Sequence, residues 1–206
     1  MNYLAHCLIG AQATNEPRMT AALVAGGFLG DFIKGPVPAD MPFPLALGVR
    51  LHRRVDAYSN RHPVIRTSVE RFPAELRRIA PILVDILGDH LLSRRWQEFH
   101  AADLTGFTRR VYRDVDEHDR WLPARGQQFL AYARERDLLG CYADWSVAAA
   151  SMRSITRRLG RSELDPLLDE AVPPLLADLE LDFHGYFPDI IEHACAWIAS
   201  EQAAHG

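Results

Sequence analysis

The sequence predicts an all-α protein built as one helical bundle, and three observations carry that prediction. Apolar residues recur at three- and four-residue spacing through most of the 206-residue chain. Pro17, Gly35-Pro36, Pro63, Pro123, Gly140 and Gly160 break the pattern at intervals suited to helices. No stretch alternates polar and apolar residues strongly enough to compete as a strand. At 23.2 kDa the chain suits one substantial core and is short for two, so a single domain over 1–206 is expected.

Composition narrows the function. Hydrophobic residues at 48% and charged residues at 24% are ordinary globular usage, which excludes wholesale disorder. A formal net charge of −4 argues against a nucleic-acid binder with a broad basic surface. Cys7, Cys141 and Cys195 are odd in number, far apart and in no CxxC pattern, so a reducing, cytoplasmic setting is expected rather than a disulfide framework. The most apolar run, 21–29, is far too short to span a membrane, and no basic residue precedes the first apolar stretch as a signal peptide would require.

In chain order, Leu4, Leu8 and Ile9 predict a short buried helix over 1–13, with His6 on it. A second helix is expected over 19–32, stopped at Gly35-Pro36. Its Gly26-Gly27 and Gly30 let another backbone or a ligand come close. Asp31, at the end of that apolar stretch, is costly to bury unless paired or metal-bound. Prolines 36, 38, 42 and 44 mark a loop, with Met41 and Phe43 exposed or folded over a site as a lid. The helix that follows carries His52 and Asp56 and closes at Tyr58 to Pro63, where His62 reads as a turn residue.

Further helices are expected over 64–79 and, most strongly, over 82–99, where Leu83, Ile86, Leu87, Leu91, Leu92 and Trp96 repeat helically. Phe107, Val111 and Val115, then Phe129, Tyr132 and Ala133, then Trp145 and 147–155 continue the pattern. A last helix over 182–203 holds Phe183, Tyr186, Phe187, Ile190, Ile191, Ala194 and Trp197, with Pro188 near its start or kinking it. His100, His118, His184, His193 and His205 have no ligand spacing among themselves, and no serine-nucleophile or phosphate-loop motif is present.

The chemistry concentrates in two stretches. In Arg50-Leu51-His52-Arg53-Arg54-Val55-Asp56, the four-residue spacing puts His52 and Asp56 on one helix face, with Cβ atoms roughly 5–6 Å apart. Asp85-Ile86-Leu87-Gly88-Asp89-His90 repeats the device, with His90 about 100° round the helix from Asp89. Two such helices facing each other can supply one divalent-cation site: imidazole with carboxylate suits manganese, iron or zinc, and carboxylate with water suits magnesium. Each pair is equally compatible with a solvated helix face and a hydrogen-bonded core histidine. Arginines cluster nearby at 50, 53 and 54, at 77 and 78, and at 94 and 95, where a phosphorylated or acidic partner can be met.

With these pieces in order, the chain resembles the bacterial acyl carrier protein phosphodiesterase family, helical relatives of the HD-domain phosphohydrolases. The resemblance rests on Met1-Asn2-Tyr3-Leu4-Ala5-His6, Gly30-Asp31-Phe32-Ile33-Lys34-Gly35, His52-Arg53-Arg54-Val55-Asp56, Arg78-Ile79-Ala80-Pro81, Asp85 with Asp89-His90-Leu91-Leu92-Ser93 and Trp96, and Tyr186-Phe187-Pro188. It implies removal of the phosphopantetheine arm from holo acyl carrier protein by hydrolysis of its phosphodiester to serine, with manganese as the usual metal and magnesium or iron as substitutes. It also implies a metal set of His6, Asp31, His52, Asp56, Asp85, Asp89 and His90, with Asp31, His52, Asp89 and His90 catalytic. Within it Asp31 and Asp89 are the first expected ligands, and Asp56 and Asp85 are alternatively orienting groups for histidines. Arg53, Arg54, Arg78 and Arg94 would hold the phosphodiester, and together with Arg77 and Arg95 would steer the strongly acidic carrier protein. The segments 12–19 and 109–136 depart from the family pattern. Two other readings stay open: a related metal-dependent phosphohydrolase of small diesters or nucleotides, and a non-catalytic module that binds a carrier protein.

Overall fold

A computed structural model describes residues 1–205, the side chain of His205 excepted. Ten α-helices follow one another among these residues: α1 (Tyr3–Gln12), α2 (Pro17–Leu29), α3 (Phe43–Ser59), α4 (Pro63–Glu70), α5 (Ala80–Arg94), α6 (Trp96–Phe99), α7 (Leu104–Asp116), α8 (Ala124–Glu135), α9 (Trp145–Arg158) and α10 (Asp165–His205). No strand occurs among the described residues, and the all-α class is observed. None of the helices is long and apolar enough to cross a membrane.

Helices α1, α2 and α3 form the tightest part of the bundle, and small residues are the reason. A Cβ at Gly26 would stand 2.6 Å from the Gly48 backbone, and one at Gly48 would stand 2.9 Å from the Ala22 carbonyl oxygen. The α2 and α3 backbones therefore touch where glycines face each other, which sets His52, one turn beyond Gly48, against the end of α2. Pro17 and Pro63 start α2 and α4, and Pro81 lies in the first turn of α5, positions where a missing N–H costs nothing. Asp103 and Asp144 cap α7 and α9 by accepting from the Gly106 and Ser146 amides.

Three expected helices have other bounds. The helix expected over 64–79 stops at Glu70, because Pro73 denies the helical region to Phe72, and turns fill the gap to α5. The run expected over 82–99 splits at Arg95 (φ −106°, ψ 20°) into α5 and α6, and the Trp96 indole N–H donates to the Ala102 carbonyl at 2.7 Å. The last helix begins at Asp165 and passes through Pro173, Pro174 and Pro188, about 60 Å in all. Its buried face, Leu168, Val172, Leu179, Phe183, Tyr186, Phe187, Ile190, Ala194 and Ile198, holds it on the core despite the lost hydrogen bonds. Arg71 adds a clamp to this helix, giving two hydrogen bonds to Asp182 at 2.7 and 3.0 Å and one to Asp178 at 3.0 Å. Met41 is buried, and Phe43 opens α3 beneath the Arg50 guanidinium, 5.5 Å from its ring centroid.

Candidate metal centre

The centre is built where the α1, α2 and α3 contacts converge. His6 is buried on α1, and its Nε2 lies 3.0 Å from Asp56 Oδ1. His52 is buried on α3, one turn before Asp56, and its Nε2 lies 3.3 Å from Asp56 Oδ2 and 4.0 Å from Asp31 Oδ1. The two imidazoles stack with centroids 3.8 Å apart. One ligand atom each from His6, His52 and Asp56 lies within 4.8 Å of the others, which makes these three a group that could hold a metal ion. The histidines are shielded, whereas the side chains of Asp31 and Asp56 are 36% and 40% exposed, so the site opens on its carboxylate side.

The tautomer of His52 shows why a cation suits this place. Its Nδ1 lies 2.9 Å from the Gly27 carbonyl oxygen, which can only accept, so Nδ1 carries the proton. A neutral His52 then turns the Nε2 lone pair towards two carboxylates. That meeting of acceptors is repulsive unless the ring is protonated or a cation lies between them. A backbone carbonyl fixing the far nitrogen is also the usual support for a metal-binding imidazole. The nitrogen and carboxylate donors thus fit a divalent ion of the manganese, iron or zinc type.

Without a cation the alternative holds, a protonated His52 donating to Asp56. Burial, and then the charge of His52, push His6 down to about 3, so it stands neutral at physiological pH. Burial alone would raise Asp56, yet hydrogen bonds from His52 and His6 hold it well below the usual carboxylate range. Asp31 moves the other way, raised by burial against the opposing pull of His52.

The remaining expected ligands are placed elsewhere. Asp85, 39% exposed, accepts the buried α-amino group of Met1 at 2.8 Å, and the same ammonium lies 3.5 Å from Asp56. Asp85 therefore borders the centre through that ammonium. Asp89 is wholly buried and its two oxygens accept the Leu4 and Ala5 amides, both at 2.9 Å. It caps α1 from α5, a task that Asn2 does not perform with its own side chain. His90 Nδ1 lies 2.7 Å from the Tyr142 carbonyl, with the ring edge-on to Trp145. Among the described residues the structure thus brings together His6, His52 and Asp56, with Asp31 beside them, and not Asp89 or His90.

Among the arginines, Arg53 is held beside the Asp31 turn, its Nη2 donating to the Ile33 carbonyl at 2.9 Å. Arg54 lies over the Trp197 ring at 5.5 Å. Arg78 and Arg94 sit at opposite ends of α5, about 20 Å apart along its axis, so one phosphodiester does not reach both. Arg77 and Arg95 are tied to the Phe72 carbonyl and to Glu180. Two groups of the site were not legible from its side-chain pattern: the Gly27 carbonyl that orients His52, and Gly30, where any Cβ would overlap the His52 ring. The glycines around 26–30 were the available signal, and their close neighbour is the His52 helix.

The model of the family described as acyl carrier protein phosphodiesterase matches residues 1–190. Relatives named acyl carrier protein phosphodiesterase include one from Photorhabdus laumondii, 27% identical over 94% of this chain and 95% of the relative. Another, from Yersinia pestis, is 28% identical over 94% and 97%, and one from Yersinia enterocolitica is 30% identical over 77% and 79%. No solved structure matches the chain at a significant level.

Proposed function

This chain belongs to the acyl carrier protein phosphodiesterase family, and from that premise we propose that it hydrolyses the phosphodiester linking phosphopantetheine to a serine of holo acyl carrier protein. The observation that carries the reading to a mechanism is the convergence of His6, His52 and Asp56 beside a half-buried Asp31. His6 Nε2, His52 Nε2 and an Asp56 oxygen are the atoms that would hold a divalent cation, proposed to be manganese, with magnesium or iron as substitutes. Such an ion, when bound, supplies Lewis acidity towards water and neutralises charge on the phosphoryl oxygens.

The chain's own groups do the rest. The Gly27 carbonyl keeps the His52 proton on Nδ1 and so keeps Nε2 free to bind. Asp31, on the open side and raised by burial, is placed to take the proton of the attacking water. The new bond joins the water oxygen to phosphorus, and the bond to the serine oxygen breaks. The serine oxygen takes up a proton, leaving apo carrier protein and phosphopantetheine. Arg53, fixed beside the Asp31 turn, would hold a phosphoryl oxygen of the bound diester. With three free cysteines and no membrane-crossing helix among the described residues, a reducing cytoplasm suits this role.

The test is the mass of holo acyl carrier protein incubated with this protein and manganese, with and without a chelator. Loss of the phosphopantetheine mass is expected only in the metal-containing sample. An unchanged mass in both samples defeats the reading.

A further inference from the structure

The chain is acidic overall, but its charge is unevenly placed: 109–161 holds eleven of the 23 Lys and Arg residues and only seven of the 27 Asp and Glu residues. Five of these arginines, Arg113, Arg134, Arg136, Arg153 and Arg161, are each within ion-pair reach of a carboxylate. Arg125 and Arg158, like Arg109, Arg110, Arg120 and Arg157, are exposed and have no carboxylate in ion-pair reach among the described residues; Arg125 and Arg158 are set apart by where their helix faces point. Unneutralised guanidiniums on a folded surface suit an acidic partner.

Two contacts locate this pair. Phe129 on α8 packs its ring 4.8 Å from Tyr3, and Arg125 lies one turn earlier on the same helix face. On α9, Ser151 Oγ lies 3.4 Å from the Tyr142 hydroxyl, which accepts from Asn2 Nδ2 at 3.1 Å, and Arg158 lies two turns further along that face. Both helices thus present an arginine on the face that meets Asn2-Tyr3, just before His6. Leu159, one of the few exposed large apolar side chains, follows Arg158 directly, and Tyr132, another, lies two turns along α8 from Arg125 beneath the Arg136 guanidinium, so the edge is basic with apolar spots.

We propose that Arg125 and Arg158 form the docking edge for an acidic protein partner beside the mouth of the metal centre, the partner being the carrier protein if the phosphodiesterase reading holds. Of the six arginines expected from sequence to steer the partner, Arg53 and Arg54 lie on α3 and Arg77, Arg78, Arg94 and Arg95 flank α5, with Arg77 and Arg95 tied to the Phe72 carbonyl and Glu180, so this assignment adds a recognition edge on α8 and α9.

The test is binding of holo acyl carrier protein by calorimetry at low salt. Arg125→Glu/Arg158→Glu is expected to weaken binding by about tenfold or more, and Arg125→Lys/Arg158→Lys to restore most of it. Arg18→Glu/Arg66→Glu, with the same charge change on α2 and α4, should stay within about twofold. Manganese affinity and melting temperature, measured on all variants, report whether the fold and the centre are intact. Unchanged binding in the first variant, an equal loss in the α2 and α4 variant, or no binding by the parent protein overturns the docking edge. Binding by the parent without loss of phosphopantetheine defeats the phosphodiesterase reading alone, and the variants still decide the edge.

Discussion

His52, Asp56 and Asp89 were read from the sequence as members of one ligand set, yet they are under opposite physical demands. Asp56 must stay charged and open to a cation, so Asp56→Asn and His52→Ala are expected to weaken manganese binding by about 10- to 100-fold in calorimetric titration, with little change in melting temperature. Asp89→Ala reverses that pattern: it strands the Leu4 and Ala5 amides and is expected to cost about 1–3 kcal/mol in denaturant unfolding. Burial, against those two hydrogen bonds, pushes Asp89 up to about 7 from 3.8. The folded state therefore binds more protons than the unfolded chain between these values, and the contribution of Asp89 to stability falls as pH rises from 4 to 7, by up to ~1.4 kcal/mol per pH unit. Unfolding the wild type and Asp89→Asn across that range checks it, since the variant should lose this slope. The four-residue step from His52 to Asp56 was legible because helix geometry alone brings such residues together. The task of Asp89 was not, because its partners are backbone amides more than eighty residues away, which no letter of the sequence marks.

Between elements, the glycines decide how near α3 comes to α2, and two of them separate stability from function. At Gly48 an added Cβ meets backbone on the facing helix, at the Ala22 oxygen and the Gly26 Cα, and neither can turn aside. Gly48→Ala should therefore push the helices apart and destabilise by about 2 kcal/mol or more, read as a lower melting temperature. At Gly30 the added Cβ meets the His52 ring instead, and a side chain can swing away. Gly30→Ala should keep more of the melting temperature than Gly48→Ala and lose manganese affinity to an extent near that of His52→Ala. Equal thermal losses in the two variants would disprove this division. Helix existence was readable from periodicity throughout, and the errors lay at prolines. Pro73 ended a helix that periodicity extended, while Pro173 and Pro174 failed to end α10, whose buried face outweighs the two missing hydrogen bonds.

Across the whole molecule, a net charge of −4 stands against a requirement to receive an acidic protein, and the two act over different distances. The excess carboxylates are dispersed outside 109–161, whereas the proposed edge carries Arg125 and Arg158, neither with a carboxylate in ion-pair reach among the described residues. At about 0.05 M salt the screening length exceeds 10 Å, so both the diffuse repulsion and the local attraction reach an approaching partner, and by about 0.5 M only contacts of a few ångströms remain. Attraction at contact is the stronger term, since paired charges there are only several ångströms apart while the repelling groups are spread over the surface. Hence kcat/KM for holo acyl carrier protein should fall steeply over that salt range, mainly through KM, as expected when salt removes steering rather than chemistry. Manganese affinity should change far less, because its ligands include two buried histidines and donors in direct contact with the ion. Measuring both in the same salt series separates the effects: a flat kcat/KM would show that the basic edge does not steer the partner, and a parallel loss of metal would place the salt effect at the centre itself.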